Sequence, residues 1–209
     1  VPVDVPRQVD HKARRDQIAE ALLDIVAGHG LEAISMRAVA AQAGVSTGRI
    51  QHYFANKDEL LAYAMEYQDW LVQQRWNEQA WPEGEPTPRE ALRWVLLETI
   101  PRDDRRRREW LVGVAYLIRM LANPRLRALY VDGLPRLYRL LADLVRTAQE
   151  AGDIAPDRDP DMEAELLFGL ADSQGPPVVL GLRTPEQATA AIDYYLDHLF
   201  SNRQRRGID

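Results

Sequence analysis

The sequence predicts an all-α protein of about nine helices, and three observations predict it. Apolar residues recur at three- and four-residue spacing along most of the chain, no run alternates convincingly as a strand would, and capping residues stand just ahead of the periodic stretches. The 209 residues are 46% hydrophobic and 28% charged, enough to bury a core without metals or disulfides. Cysteine is absent, which excludes thiol catalysis, iron–sulfur sites and zinc fingers. No apolar run approaches the roughly 20 residues of a membrane span and the first ten residues lack a signal-peptide core, so a soluble cytoplasmic protein is expected.

The elements follow in order. The first helix is expected from Asp10 as cap, with Ile18, Leu22, Ile25 and Val26 on one face and Gly28 and Gly30 ending it. Ser35 caps a short helix from Met36 to Ala43, Gly44-Val45-Ser46 breaks it, and another runs from Thr47 to about Tyr53. Asn56 with Glu59 three residues on starts a long fourth helix, which ends before Pro82. Trp81 to Pro88, with three prolines, reads as a linker, and Thr87-Pro88 opens the fifth helix. Asp103 to Ala122 follows, with Trp110, Val114, Leu117 and Leu121 on one face. Pro124 to Ala151 is expected to be kinked or split at Gly133 and Pro135. Asp161 to Ser173 and Pro185 to Phe200 complete the set, with residues 1–9 and 202–209 expected to fray.

Charge is unevenly placed. The whole chain carries −6, but residues 1–57 hold seven Lys and Arg against six Asp and Glu, +1, which leaves −7 for the remainder. The N-terminal part is therefore free to approach phosphates.

Met36 to Phe54 has helix-turn-helix spacing. Val39 and Ala43 share a face that Val45 and Ile50 can meet across the turn, small Ala40 and Ala43 permit a close crossing, and Gly44 can take a positive φ. The second helix presents Thr47, Arg49, Gln51 and His52, hydrogen-bonding groups suited to a major groove. On pattern alone an αα corner inside an enzyme remains an alternative. Gly44-Val45-Ser46-Thr47-Gly48 also matches a nucleophile elbow, but a helix precedes it where a strand is required, and the later His52 and His198 are badly placed as partners.

The run from Ile34 to Leu61, with Ala43-Gly44-Val45-Ser46 at the turn, Tyr53-Phe54 closing the helix and Asn56-Lys57-Asp58-Glu59-Leu60 after it, closely resembles the DNA-binding signature of the TetR family of transcriptional regulators. Val45-Ser46-Thr47-Gly48, His52-Tyr53-Phe54 and Gly169-Leu170-Ala171-Asp172 further resemble the branch that includes the choline-responsive betaine regulators.

The resemblance implies a DNA-binding domain at 1–57 and an effector-binding and dimerisation domain at 58–209. It implies backbone contacts by Ser46, Thr47, His52, Tyr53 and Lys57, with Arg37 also on the DNA side. Arg49 and Gln51 are the candidates for reading bases, although the family commonly has Tyr where Gln51 stands and a phosphate contact is equally open. For the effector, Trp94, Trp110, Tyr116, Met120, Tyr130, Tyr138 and Phe168 are candidate pocket residues, and Asp172 a carboxylate for a cationic ligand; for each aromatic, plain core is the competing reading. Gln174 beside Asp172 can meet ligand, cap a helix or bridge a dimer. Arg105-Arg106-Arg107-Arg108 can clamp an anion, but four successive residues circle a helix, which favours a solvated face.

Ala188, Ile192, Tyr195 and Leu199, with Leu166, Leu167 and Leu170, form the expected homodimer surface of the last two helices, against intra-chain core as the alternative. The function implied is a homodimeric repressor released from a palindromic double-stranded DNA operator by a small molecule, with no enzymatic activity, cofactor, metal or membrane partner. The alternative is a helical small-molecule carrier or enzyme that retains a vestigial helix-turn-helix.

Overall fold

The computed structural model describes residues 7–81 and 84–201. Among these are ten α-helices, one 3-10 turn and no strand: α1 Arg7–His29, the turn Leu31–Ala33, α2 Met36–Gln42, α3 Thr47–Tyr53, α4 Lys57–Glu78, α5 Pro88–Glu98, α6 Asp104–Ala122, α7 Pro124–Glu150, α8 Pro160–Ser173, α9 Gly175–Val179 and α10 Pro185–Leu199. The chain divides into two compact units, Val1–Glu78 with Leu111–Leu129, and Gln79–Trp110 with Tyr130–Asp209.

In the first unit, Ile18, Leu22, Ile25 and Val26 of α1 are buried with Val39, Ala40, Ala43, Ile50, Phe54, Leu60 and Leu61. This core locks α2 and α3, seven residues each, which are too short to be stable alone. In the second unit, Leu92 and Leu96 of α5, Leu141 and Val145 of α7, Leu167 of α8 and Ile192 and Leu196 of α10 share one apolar core. Its flank carries two ion pairs between α5 and α10, Arg89 with Asp197 and Arg93 with Asp193. Glu163, buried on α8, is satisfied by Arg158 Nη1 and the Tyr195 hydroxyl, each donating at 2.7 Å.

Several expectations need correction. The first helix starts at Arg7, so Asp10 lies inside it and Arg7–Val9 are helical; residues 1–6 and 202–209, expected to fray, lie outside those described. Only Gly30, at φ +75°, ends that helix, and Gly28 stays within it. The seventh helix is not split: it runs unbroken through Gly133 and Pro135, and Val131, whose carbonyl Pro135 leaves without its usual donor, is an exposed residue. On α6 the buried positions are Val112, Ala115, Tyr116 and Met120, while Leu117 and Leu121 are exposed, so the apolar stripe is rotated from the expected one. Beyond the expected set, Gly175-Pro176-Pro177 follows the end of α8 at Ser173 and opens the short α9, since proline in a first turn forfeits no helical hydrogen bond.

Candidate nucleic-acid interface

Local chemistry builds the helix-turn-helix. Ser35 Oγ accepts from Ala38 N at 3.1 Å and starts α2. Ser46 Oγ accepts from Arg49 N at 3.2 Å and starts α3. Between them Gly44 takes φ +66°, which a side chain would strain. Gln17 of α1 donates to the Ala43 carbonyl at 2.9 Å, fastening the end of α2 to the first helix. Asn56 Oδ1 accepts from Glu59 N at 2.9 Å, and Glu59 reaches back to Ala55 N at 2.7 Å, so α4 begins with a reciprocal cap.

Burial then sorts α3 into two faces. Ile50 and the following Phe54 are buried, whereas Thr47, Arg49, Gln51 and His52 are exposed, with Ser46 exposed at the cap and Tyr53 half-buried. Lys57 is half-buried at the start of α4, and Arg37 is exposed on α2. The structure therefore gathers the eight DNA-side candidates on three consecutive elements of one unit. The Ser46 hydroxyl, although engaged as an acceptor, keeps its proton to donate. A fourth element joins them: His11 of α1 lies 5.3 Å from the Tyr53 ring in an edge-on arrangement and 6.1 Å from the His52 ring, and His52 and Tyr53 are 5.2 Å apart. His11 was invisible to local pattern because 41 residues separate it from His52.

The first turn of α4 is also tied to α6. Arg119 Nε donates to Asp58 Oδ1 at 2.7 Å and Asn123 Nδ2 to Asp58 Oδ2 at 2.6 Å. The Arg119 hydrogen bond lowers the Asp58 pKa against the opposing effect of burial. Asn123 sits between α6 and α7, so one carboxylate beside Lys57 meets the end of one helix and the start of the next.

The effector candidates are distributed over both units. In the second, Tyr138 and Phe168 pack edge to face at 5.5 Å, with Phe168 against the apolar core, and Trp94 and Trp110 are half-buried. In the first, Tyr116 and Met120 are buried and the Tyr116 hydroxyl donates to the Leu126 carbonyl at 2.8 Å. The side chain of Tyr130 lies outside those described. Asp172 is exposed on α8, while Gln174 is buried and held by Arg183, Ser173 and the Leu170 carbonyl. Two carboxylates not singled out from sequence, Glu66 and Asp69, act on Tyr116: burial raises the phenol pKa first, then these charges. Asp69 keeps solvent access on one side, yet enough protein surrounds it that desolvation, with Glu66 second, raises its own pKa. Of the four successive arginines, Arg106 is folded onto Glu98 and Asp103, and Arg105 and Arg107 are exposed.

The expected dimer residues need correction. Ala188, Ile192, Leu199 and Leu167 are buried in the second unit's own core, and Tyr195 and Leu170 pack against it. They are intra-chain core. The apolar side chains that α8 and α10 leave exposed are Met162, Leu166 and Tyr194, at 53%, 53% and 67% exposure.

A short helix with an apolar back and a polar front, presented across a glycine turn by a packed three-helix support, defines a helix-turn-helix DNA-binding regulator. Residues 18–64 match the family described as bacterial regulatory proteins, tetR family, and residues 88–201 match the C-terminal region of the BetI-type transcriptional repressors. The chain belongs to the TetR family of transcriptional regulators, in its BetI-type branch. It is 33% identical to the HTH-type transcriptional regulator PksA of Bacillus subtilis (strain 168), over 80% of each chain. It is 29% identical to the HTH-type transcriptional regulator BetI of Paraburkholderia xenovorans (strain LB400), over 79% of this chain and 84% of that one. A transcriptional regulator of Saccharomonospora viridis, crystallised in complex with choline, shares the fold with TM-score 0.79 at 27% identity, covering 90% of this chain and 96% of that one. Among the described residues no helix is long and apolar enough to cross a membrane.

Proposed function

We propose that two copies of this chain bind a palindromic DNA operator and are released from it by a small cationic effector. The observation that carries the reading is the exposed row Thr47, Arg49, Gln51 and His52 on a helix whose other face is fixed in the core. Ser46, Thr47, His52, Tyr53, Lys57 and Arg37 serve the phosphates, and Arg49 and Gln51 face base edges, where a bidentate contact contributes about 1–3 kcal/mol of discrimination. DNA contact is assigned to residues 1–57 and effector binding with dimerisation to 58–209. Met162, Leu166 and Tyr194 are the dimer residues, an isologous contact of α8 and α10 that sets two recognition helices about 34–36 Å apart. The protein acts in the cytoplasm and has no catalytic role.

A cationic effector suits an aromatic lining with a carboxylate. In the first unit Tyr116 and Met120 are the lining candidates, and in the second Trp94, Trp110, Tyr138 and Phe168. In the first unit the carboxylate candidate is Asp69, whose pKa is raised by desolvation and then by Glu66 and which acts on Tyr116; in the second it is Asp172, and both are exposed. The choline bound by the Saccharomonospora relative supports this class. Effector binding reaches the DNA side through α6, whose Arg119 holds Asp58 next to Lys57. Coupling of about 1–3 kcal/mol, a 5–150-fold loss of operator affinity, is the usual range for such a link.

Selection of random duplexes by the purified protein at moderate salt tests the reading, with Tyr53→Ala/Lys57→Ala as control. The expected result is a palindrome retained by the wild type alone, and Arg49→Ala then loses preference among sequences without losing its salt dependence. No enrichment above background, with choline and other quaternary amines absent, would overturn it.

A further inference from the structure

We propose that His11 of α1 is itself a DNA-contacting residue, forming with His52 a paired-imidazole patch that holds operator phosphate more tightly when protonated. The proposal rests on the DNA-binding reading and extends its contact surface to the first helix.

Three rings meet at this place. His11 approaches Tyr53 edge-on at 5.3 Å, His52 approaches the same Tyr53 at 5.2 Å, and the two imidazoles are 6.1 Å apart. Both imidazoles belong to exposed residues, and Tyr53 between them is half-buried. Two potential cations thus flank one phenol on the surface that carries Ser46, Thr47 and Lys57. Successive phosphates along a DNA strand lie several ångströms apart, so two imidazoles at this separation can serve one phosphate jointly or two neighbours.

The elements that carry these rings, with α2 and the start of α4, bear Lys12, Arg14, Arg15 and Asp16 on α1, Arg37 on α2, Arg49 on α3, and Lys57, Asp58, Glu59 and Tyr63 on α4. The three carboxylates among these are engaged: Glu59 accepts from Ala55 N. Asp16 accepts from Lys12 Nζ at 2.7 Å and from the Tyr63 hydroxyl at 2.5 Å, and Asp58 is held by Arg119 and Asn123. Arg15 is stacked 3.9 Å from the Tyr63 ring centre. Phosphate entering this patch therefore meets cations whose internal partners do not include the two imidazoles.

An imidazole ordinarily titrates near pH 6.5, and a neighbouring phosphate stabilises its charged form. For a phosphate that raises such a group by one pH unit, linkage makes binding about sixfold tighter at pH 6 than at pH 8. Each phosphate neutralised also adds about 0.9 to the slope of log affinity against log salt.

The experiment measures fluorescence anisotropy of the selected duplex with the full-length chain at pH 6, 7 and 8 and at several salt concentrations. The variants are His11→Ala and His11→Lys. Wild type is expected to bind at least about sixfold tighter at pH 6 than at pH 8, with a salt slope steeper at pH 6 by about one. His11→Ala should lose about eightfold at pH 6, less than about twofold at pH 8, and the extra salt slope. His11→Lys should restore the pH 6 affinity and retain it at pH 8. If His11→Ala leaves the pH profile and salt slope of wild type unchanged, or weakens binding equally at every pH and salt, His11 merely packs against Tyr53 and the proposal is overturned. A wild-type chain that binds no duplex at any pH overturns the DNA-binding reading instead, and the proposal with it.

Discussion

Replacing Gly175 with alanine tests how tightly the second unit is packed at the junction of α8 and α9. A Cβ at that position would fall within 2.8 Å of Nε1, Cε2 and Cζ2 of the Trp110 indole. Rigid ring atoms cannot yield as the end of a flexible side chain does, so either the indole rotates or α9 retreats. Overpacking of this kind costs about 1–3 kcal/mol. At about 2–4 °C per kcal/mol for a chain of this size, the melting temperature should fall by about 2–12 °C. Gly113→Ala is the matched control. Its Cβ would meet nothing within 4 Å in the interior of α6, so the substitution should be neutral or stabilise by up to about 1 kcal/mol. Thermal unfolding followed at 222 nm gives both values. The same substitution in a Trp110→Ala background isolates the clash, because its cost should then vanish. A Gly175→Ala protein that melts within 1 °C of wild type, or loses as much stability without the indole, would refute the packing argument. It would also free Trp110 to be read as a mobile pocket wall.

Three further outcomes follow from named contacts. Phe54→Ala should destabilise the N-terminal unit by about 3–5 kcal/mol in chemical denaturation, because Phe54 is fully buried and packs on Tyr63. Burial and then the Glu163 hydrogen bond push the Tyr195 phenol up to about 12. Its folded value lies above the ordinary 10, so its contribution is complete below pH 10 and is lost as pH rises towards 12; Tyr195→Phe should flatten that part of the stability profile. Arg119→Ala should leave operator affinity within about threefold while reducing the effector-induced loss of affinity several-fold, measured by titrating choline against bound duplex.

The elements legible in the sequence are those decided within a few residues. Ser35, Asn56 and Thr87 cap the helices they were expected to start, and Ser46, read as part of the break, caps α3, because a side-chain oxygen and an amide three residues on meet regardless of tertiary context. Gly44 likewise takes the positive φ its turn requires. What the sequence could not assign is which apolar stripe faces which partner. On α10, Ala188, Ile192 and Leu199 point to the core of their own unit, while Tyr194 is left outside. One stripe of helical spacing suits an intra-chain core or a dimer contact equally, and only the three-dimensional packing of α5, α7 and α8 determines which. The stripe went inward, as the hydrophobic effect requires when one chain can satisfy it alone.

The polar links escaped for a related reason. Asp58 was read only as part of a cap sequence, yet its carboxylate is bound by side chains 61 and 65 residues away. Asp16, 47 residues from Tyr63, and His11, 41 from His52, behave alike. In each case a residue on α1 or at the start of α4 is paired by folding with one that no local pattern could name. Asp58 and Asp16 tie together the support of the recognition helix, while His11 reaches the helix itself at His52 and Tyr53. A recognition surface read from α3 alone is therefore incomplete. The proposed phosphate contact on α1 at His11 and the proposed effector link from α6 at Asp58 both lie outside it.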